Sequence, residues 1–456
     1  MANSKKPANK RDSILIQVQQ VLAEVFAAQK LANPQLLVAF SGGLDSTVLL
    51  HILSKLRADL PIQLSAMHVH HGLSANADGW AHFCEQTCAN LNIPFQLKKI
   101  QIDKKSGLGI ESTARNARYQ ALSEPQADFI CLAQHQNDQA ETLLLQLARG
   151  AGVKGLAGMS QMDLQRKLLR PLLNISRANL EAYAKQYRLQ WVEDESNDDT
   201  QFDRNFMRHD VLPVLQKRYH AISQTLTRSA ENLAEAGALL DELAKMDAGN
   251  ADQPQKINLA LFKYLSTARQ ANLMRWWLAQ NQIGMPSAQQ LQQILQQILH
   301  AKSDAVVKIK VAESQYLRRY QGSAYLVSAC TKVLPINLLW QGEEAIVLPD
   351  QSSLIFTKKM GEGLALARDG LLQANTKLRI KNRDGGERFK PALGRPSRTL
   401  KYVLQSIEMP PWQREQLPLI FMDETLVYIP NLGAATDFQA APNEMGCVIT
   451  WAGSEP

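Results

Sequence analysis

The stretch VAFSGGLDSTVLLH, Val38 to His51, has the residue types of an anion cradle. An apolar run gives way to Ser41-Gly42-Gly43-Leu44-Asp45-Ser46, and a helical pattern resumes. Glycines let a backbone turn sharply and come close to an anion. The amides that open the next helix then point at it, aided by the helix dipole. Ser41 and Ser46 add hydroxyl donors. A Walker-type loop would carry a lysine here. That lysine is absent and Asp45 stands in the loop, which is sensible chemistry if the acid helps hold Mg²⁺ beside phosphates. Taken alone, the stretch fits equally a helix cap in which Ser41 or Asp45 satisfies orphan amides.

Further stretches gather titratable groups that suit the same ligand. In MHVHHGLS, His68, His70 and His71 stand at the predicted end of a strand, where ligands collect in open α/β sheets. Alternation sends His68 and His70 to one face with no carboxylate close behind, which favours lining a substrate over holding a metal. ESTARNARY puts Glu111, Arg115 and Arg118 on one helical face. They form either a surface ion pair of little worth or a guanidinium pair for phosphate and developing negative charge. In AQHQNDQAETLLLQLARG, His135 lies in a loop, while Asp138, Glu141 and Thr142 share a helical face. Asp138 and Glu141 fit a capping pair, and equally an acidic patch for a cationic substrate. RPLLNISRANLEAYA follows, and then the acidic EDESNDDT leads into Arg204-Asn205-x-x-Arg208.

Such residues need a scaffold that converges strand ends. QLLVAF, IQLSAMHVH, IPFQLKKIQI and ADFICLA read as strands, and the segments between them as helices. That alternation predicts a doubly wound parallel sheet covered on both faces. LQWVEDESND adds a further candidate strand. Near Leu212-Pro213 the pattern turns almost wholly helical, with Leu291, Ile294, Leu295, Ile298 and Leu299 on one stripe. Short strand signals return from about Ser323. The expected organisation is an α/β domain over 1–214, a linking helix over 215–245, a helical domain over 246–322 and a mixed α/β domain over 323–456.

At 456 residues, 45% hydrophobic and 20% charged, the chain has ample material for several cores. No apolar run is long enough to span a bilayer, and the polar N-terminus has no signal-peptide core, so a cytoplasmic location is expected. Five scattered cysteines argue against a disulfide framework, and Cys84 and Cys88 read as buried small hydrophobes. The net charge is +7, and Lys377 to Lys401 alone carries nine Lys/Arg against two acids. In KLRIKNR the cations Lys377, Arg379, Lys381 and Arg383 alternate with Leu378, Ile380 and Asn382, one face of a strand. Arg388, Lys390, Arg395, Arg398 and Lys401 continue the run. A polyanion such as RNA is favoured over a solvated basic edge strand.

Together, Ser-Gly-Gly-Leu-Asp-Ser at 41–46, the His70-His71-Gly72 turn, Glu111-x-x-x-Arg115-x-x-Arg118-Tyr119, His135-x-x-Asp138-Gln139-x-Glu141-Thr142, Arg149-Gly150, Arg204-Asn205-x-x-Arg208 and Arg383-x-x-Gly386-Glu387-Arg388 with Gly394-Arg395 resemble the tRNA(Ile)-lysidine synthetase family. That family belongs to the ATP pyrophosphatase, or PP-loop, superfamily. The first motif is superfamily-wide and the set is specific. The resemblance covers most of the chain and is weakest in the helical domain.

It implies that ATP adenylates the carbon-2 oxygen of the wobble cytidine of tRNA(Ile) with a CAU anticodon, releasing pyrophosphate. Free L-lysine then displaces AMP to give lysidine. By resemblance, Ser41, Gly42, Gly43, Leu44, Asp45 and Ser46 hold ATP, with Asp45 acting through Mg²⁺. Asp138 and Glu141 are the acidic partners expected for the lysine ammonium. Arg115 and Arg118 would stabilise phosphate charge, His135 would line the pocket, and Arg204 and Arg208 would contact substrate. Asp45, Arg115, His135 and Asp138 form the expected catalytic set. The domain at 246–322 would bind substrate, and the last domain would bind tRNA through Lys377, Arg379, Lys381, Arg383, Arg388, Arg395, Arg398 and Lys401. A thiolase on the same loop would need paired reactive cysteines, an amidotransferase a nucleophilic N-terminal cysteine, and a non-catalytic RNA-binding protein would leave ATP unchanged.

Overall fold

The computed structural model describes residues 10–72, 74, 76–100, 110–249, 254–302, 305–328, 334–365, 378–390 and 396–452. The chain divides into two compact units, Met1–Leu239 and Leu240–Pro456.

In the first unit strands and helices alternate: α1 (Lys10–Gln29), β1 (Gln35–Ala39), α2 (Leu44–Leu56), β2 (Gln63–His70), α3 (Ala77–Asn90), β3 (Phe95–Lys99), α4 (Ile110–Ser123), β4 (Phe129–Cys131) and α5 (Gln136–Ala148). Then come α6 (Val153–Leu156), β5 (Met162–Asp163), β6 (Leu168–Leu169), α7 (Arg177–Gln186), α8 (Asp203–Phe206) and α9 (Leu212–Arg218). The sheet order is β3-β2-β1-β4-β6-β5, parallel except for the β5–β6 pair. Both faces are buried, as the continuous apolar strands require. Leu36 and Val38 pack with Val18, Leu22, Val48 and Ile52. Leu37, on the opposite face, packs with Met67, Leu122 and Ile130. The expected strand at LQWVEDESND is a loop, anchored by the Val192 N–H donating to Gly42 O at 3.0 Å. The sheet's last two strands are instead β5 and β6, each of two residues. That is too short to show periodicity.

The segment 215–245, expected as one linking helix, holds the end of α9 and most of α10 (Ile222–Ala248), whose residues fall on both sides of the division. In the second unit β7 (Lys256–Asn258), α11 (Thr267–Gln280), α12 (Ala288–His300), β8 (Lys308–Ala312), β9 (Gln315–Tyr320) and β10 (Ser323–Ser328) form a helix–sheet layer. The sheet is antiparallel in the order β7-β10-β9-β8. Leu291, Ile294, Leu295 and Ile298 of α12 face it, sharing one core with Trp277, Leu317 and Leu326. This module is therefore not wholly helical. Its β10 lies beyond the boundary expected at 323, because Ala324 and Leu326 complete the same core.

The remaining elements are β11 (Asn337–Trp340), β12 (Ala345–Val347), β13 (Ser353–Met360), β14 (Leu364–Ala365), β15 (Leu378–Lys381), β16 (Arg388–Phe389), β17 (Arg398–Thr399), α13 (Leu400–Ser406), α14 (Pro411–Gln416), β18 (Leu419–Met422), β19 (Thr425–Ile429), β20 (Gly433–Ala434) and β21 (Met445–Ala452). They build the sheets β11-β15-β18-β19-β20 and β12-β13-β21-β14, with β16–β17 as a separate ladder.

Candidate functional site

In the first unit β1 lies between β2 and β4, so the connections leave in opposite directions there. Open α/β sheets place their ligand crevice at such a switch point, beyond the strands' carboxyl ends. The loop after β1 is Ser41-Gly42-Gly43. Gly42 has φ +86°, and a β-carbon on it would stand 3.0 Å from both Cys84 Sγ and Val192 Cγ2. Only glycine fits that position without strain. Gly43 is the N-cap of α2, so no side chain caps the helix, and neither Ser41 nor Asp45 takes the capping role. Ser46 Oγ donates to Gly43 O at 3.0 Å and lies 3.0 Å from Ser41 Oγ, while Thr47 Oγ1 donates to Gly42 O at 3.2 Å. These bonds brace the turn from behind.

Asp45, in the first turn of α2, faces the loop after β4. Its Oδ2 lies 3.5 Å from His135 Nε2 and 3.9 Å from Arg177 Nη1. Its Oδ1 is buried with no hydrogen-bond partner. His135 is 1% exposed and caps α5. The His135 N–H donates to Asp138 Oδ2 at 2.9 Å, and the Asp138 N–H donates to His135 Nδ1 at 3.4 Å. Burial pulls the imidazole pKa down, but Asp45, Asp138 and Glu141 outweigh it, and the net shift is upward. His135 is thus buried against Asp45, with Nε2 3.5 Å from the carboxylate.

Asp138 and Glu141 meet Arg204 and Arg208. Asp138 Oδ1 accepts from Arg204 Nη2 at 3.1 Å and Arg208 Nη2 at 3.0 Å. Glu141 Oε1 accepts from Arg208 Nε at 2.7 Å, and its Oε2 from Arg204 Nε at 3.0 Å and Arg208 Nη2 at 3.1 Å. All four carboxylate oxygens are engaged, so the acids expected to receive an ammonium hold resident guanidinia here. Burial raises the Asp138 pKa, but His135, Arg204 and Arg208 overcome it and hold the carboxyl below its usual range. Arg204 and Arg208 straddle the junction between α8 and a π-helical turn, Met207–Val211, closed by the Leu212 N–H donating to Met207 O. Pro213 follows, with no N–H to continue an ordinary α-helical ladder. π-turns of this kind concentrate at functional sites.

A basic flank lies over the ends of β2 and β4. The Arg118 Nε–H donates to His71 Nε2 at 3.2 Å. Desolvation and then the Arg118 cation push the His71 pKa down to about 4, so the ring stays neutral. Arg115 stands 5.7 Å over the Tyr119 ring. The Glu111 side chain lies outside the described residues. His68 is buried and its Nδ1–H donates to Phe40 O at 2.9 Å, a structural role. Arg170, 6% exposed, donates to Gln134 Oε1 and, at 2.7 Å, to Ser160 O. Arg170 and Arg177 are the site residues to which sequence reasoning gave no role. Their signal lies in RPLLNISR, two arginines flanking an apolar run, which is indistinct without the fold.

Cys84, Cys88 and Cys131 are buried, and desolvation pushes each thiol up to about 12. Thiols held protonated in this way make poor nucleophiles, which disfavours the chemistry a thiolase would need from these residues. Cys330 lies outside the described residues.

In the second unit Arg379 is exposed on β15, and Leu378 and Ile380 are buried on its other face. β15 lies between β11 and β18, so it is not an edge strand. Lys381 pairs with Asp384 at 2.9 Å and covers the Phe421 ring at 4.5 Å. Arg383 lies past the strand, 3.3 Å from Glu387. The expected row of four cations is therefore Arg379 and Lys381 within the strand, while Lys377 and Arg395 lie outside the described residues. Arg388 Nη2 donates to Ser397 O at 2.6 Å, Lys390 pairs with Asp437 at 3.0 Å, Arg398 covers the Tyr402 ring at 4.2 Å, and Lys401 is exposed. No helix among the described residues is long and apolar enough to cross a membrane.

Three family models match this chain. Residues 13–215 match the PP-loop domain, 257–325 the TilS substrate binding domain and 378–451 the TilS substrate C-terminal domain. A tRNA(Ile)-lysidine synthase of Nitrosomonas europaea is 40% identical over 93% of this chain and 93% of its own. One from Coxiella burnetii is 37% identical over 95% of this chain and 98% of its own. One from Serratia proteamaculans is 41% identical over 89% of this chain and 93% of its own.

Proposed function

The chain belongs to the tRNA(Ile)-lysidine synthase family, and from that premise we propose that it joins free L-lysine to carbon 2 of the wobble cytidine of tRNA(Ile) with a CAU anticodon, using ATP. In the first step the cytidine carbon-2 oxygen attacks the α-phosphorus. The bond to the β-phosphate's bridging oxygen breaks and pyrophosphate leaves. In the second step the uncharged ε-amine of lysine attacks carbon 2, the carbon–oxygen bond to AMP breaks, and the amine gives up a proton. The product is lysidine.

The observation that carries this reading is the orphaned Oδ1 of Asp45 beside the uncapped amides of α2. Mg²⁺ commonly takes one or two carboxylates together with substrate phosphates, so a single free carboxylate oxygen at a phosphate loop fits it. When bound, the ion would neutralise phosphate charge. The residues of this chain supply the rest. The Ser41 hydroxyl and the amides after Gly42 receive the phosphates, while Ser46 holds the turn through Gly43 O. His135 and Arg177 orient Asp45. Arg115 and Arg118 meet negative charge at the crevice rim. Asp138 and Glu141 hold Arg204 and Arg208 as two fixed donors beside the leaving group or the lysine carboxylate. Removing one aimed donor of this sort typically slows a reaction by about 10²–10³.

The test is incorporation of labelled lysine into a tRNA(Ile) transcript with CAU anticodon. We expect one lysine per pyrophosphate, dependent on both ATP and tRNA. Asp45→Ala should abolish pyrophosphate release while leaving tRNA binding within a factor of two. Pyrophosphate release without lysine incorporation, or full activity in Asp45→Ala, overturns the reading.

A further inference from the structure

Asp45 stands where three helices begin. It lies in the first turn of α2, 3.5 Å from His135 at the start of α5 and 3.9 Å from Arg177 at the start of α7. The starts of α5 and α7 are tied to each other. The Arg177 N–H donates to Asn137 Oδ1 at 3.2 Å, and the Gln136 N–H donates to Ile175 O at 3.0 Å. The Arg177 side chain is also held from its own helix, because its Nε–H donates to Glu181 Oε1 at 3.2 Å. At 3.9 Å the contact with Asp45 has little slack, and a small slide of α7 along α2 would part it.

Six residues further along both helices lies a second polar contact. His51 Nδ1 and the Tyr183 hydroxyl share a hydrogen bond at 2.9 Å. Six residues of α-helix rise about 9 Å, so α2 and α7 run parallel and in register from the first contact to the second. Val48 and Ile52 of α2 and Leu180 of α7 lie in one core. Apolar burial is non-directional and tolerates sliding. A hydrogen bond to the buried Tyr183 does not, and polar pairs in such places are best attested as devices that fix register. Rings close around the bond. Tyr187 lies 4.9 Å from the His51 ring and 4.5 Å from the Tyr183 ring, with the Lys55 ammonium 5.5 Å over it. Desolvation and then the Lys55 cation push the His51 pKa down to about 4, and burial pushes the Tyr183 phenol up. Both partners are therefore neutral near neutral pH, and the bond persists there.

We propose that His51 and Tyr183 are positioning residues for the phosphate loop: their hydrogen bond sets the register of α7 on α2, which keeps Arg177 beside Asp45 Oδ2 and leaves Oδ1 free. They act from about 9 Å along the helices, through Arg177. The inference rests on the reading of Asp45 as the acid that works through Mg²⁺, and adds two residues that this reading does not name.

The experiment measures the dissociation constant of ATP for the full-length protein by calorimetry, with Mg²⁺ and with Mg²⁺ removed by EDTA. Tyr183→Phe keeps the ring and deletes the hydroxyl. We expect it to weaken Mg²⁺–ATP binding about fivefold, the worth of one hydrogen bond. Metal-free ATP binding should stay within about twofold and the thermal melt should shift little. His51→Leu should lose as much Mg²⁺–ATP affinity. Tyr187→Phe, which keeps the His51–Tyr183 bond, should bind like the wild type. Because the pair acts through Arg177, Tyr183→Phe/Arg177→Gln should bind within about twofold of Arg177→Gln alone. Unchanged Mg²⁺–ATP affinity in Tyr183→Phe overturns the proposal. So does an equal loss with and without Mg²⁺, which marks general loosening, or a full further loss in the double variant, which marks a route independent of Arg177. The functional reading fails separately, as a wild type that binds ATP and releases pyrophosphate but incorporates no lysine.

Discussion

Glu141 is 1% exposed, and its charge is tolerable there because Arg204 and Arg208 take up both oxygens. Breaking a buried pair on one side is costly because it strands the other charge. Arg208→Ala should therefore destabilise the first unit by about 3 kcal/mol, the low end for such pairs, since the guanidinium is 24% exposed. Arg208→Lys should recover less than half, because a point charge cannot reproduce a fork that bonds both acids. Thermal melts of the two variants check this, and equal melting temperatures would contradict it. The pH dependence has a definite sign. Asp138 is held below its unfolded value, so its share of stability is present above that value and fades as pH falls through the depressed one. Arg208→Ala should thus lose most relative to wild type near neutrality and least in acid.

At the scale of elements the site is a turn, two helix starts and a π-turn, and these were unequally legible. β1 was plain, because Leu36, Leu37 and Val38 are all fully buried and a strand covered on both faces reads as a continuous apolar run. The Ser-Gly-Gly turn was equally plain, since it is chemistry written in consecutive residues. The engagement of Asp138 and Glu141 by Arg204 and Arg208 was not, because more than sixty residues separate the partners and local spacing carries no record of such a contact. Nor were β7, β8 and β9, which show only alternate apolar positions beside the strongly amphipathic α12, whereas the strand signal from Ser323 is β10. Gly42 makes the turn testable. Alanine there must accept φ +86° and crowd Cys84 and Val192 at 3.0 Å. The left-handed conformation alone costs about 1–2 kcal/mol. Gly42→Ala should lower the melting temperature and weaken ATP binding. Adding Val192→Ala should relieve one of the two contacts but not restore binding, since the dihedral penalty and the Cys84 contact remain. Recovery in the double variant would show that crowding, not backbone conformation, sets the requirement.

At the scale of the molecule, the stretch that matches the PP-loop domain lies in the first unit, and the densest cationic segment, 377–401, belongs to the second. Affinity for tRNA and affinity for ATP should therefore separate by mutation. Arg379 is the informative residue of the segment: it is exposed on an interior strand, backed by buried Leu378 and Ile380, so its charge can be reversed without opening the core. Arg383 differs, because its pairing with Glu387 gives it a structural share as well. Arg379→Glu/Arg383→Glu should weaken binding of the tRNA(Ile) transcript and flatten its salt dependence by about two in slope, as expected when two phosphate contacts are lost. ATP affinity should not move. Arg383→Gln, measured alongside by thermal melt, isolates whatever the Glu387 contact contributes to folding, so that the remaining effect on binding reads as electrostatics. A parallel loss of ATP affinity would mean that the charge reversal disturbs the first unit, and the separation of the two affinities would then fail.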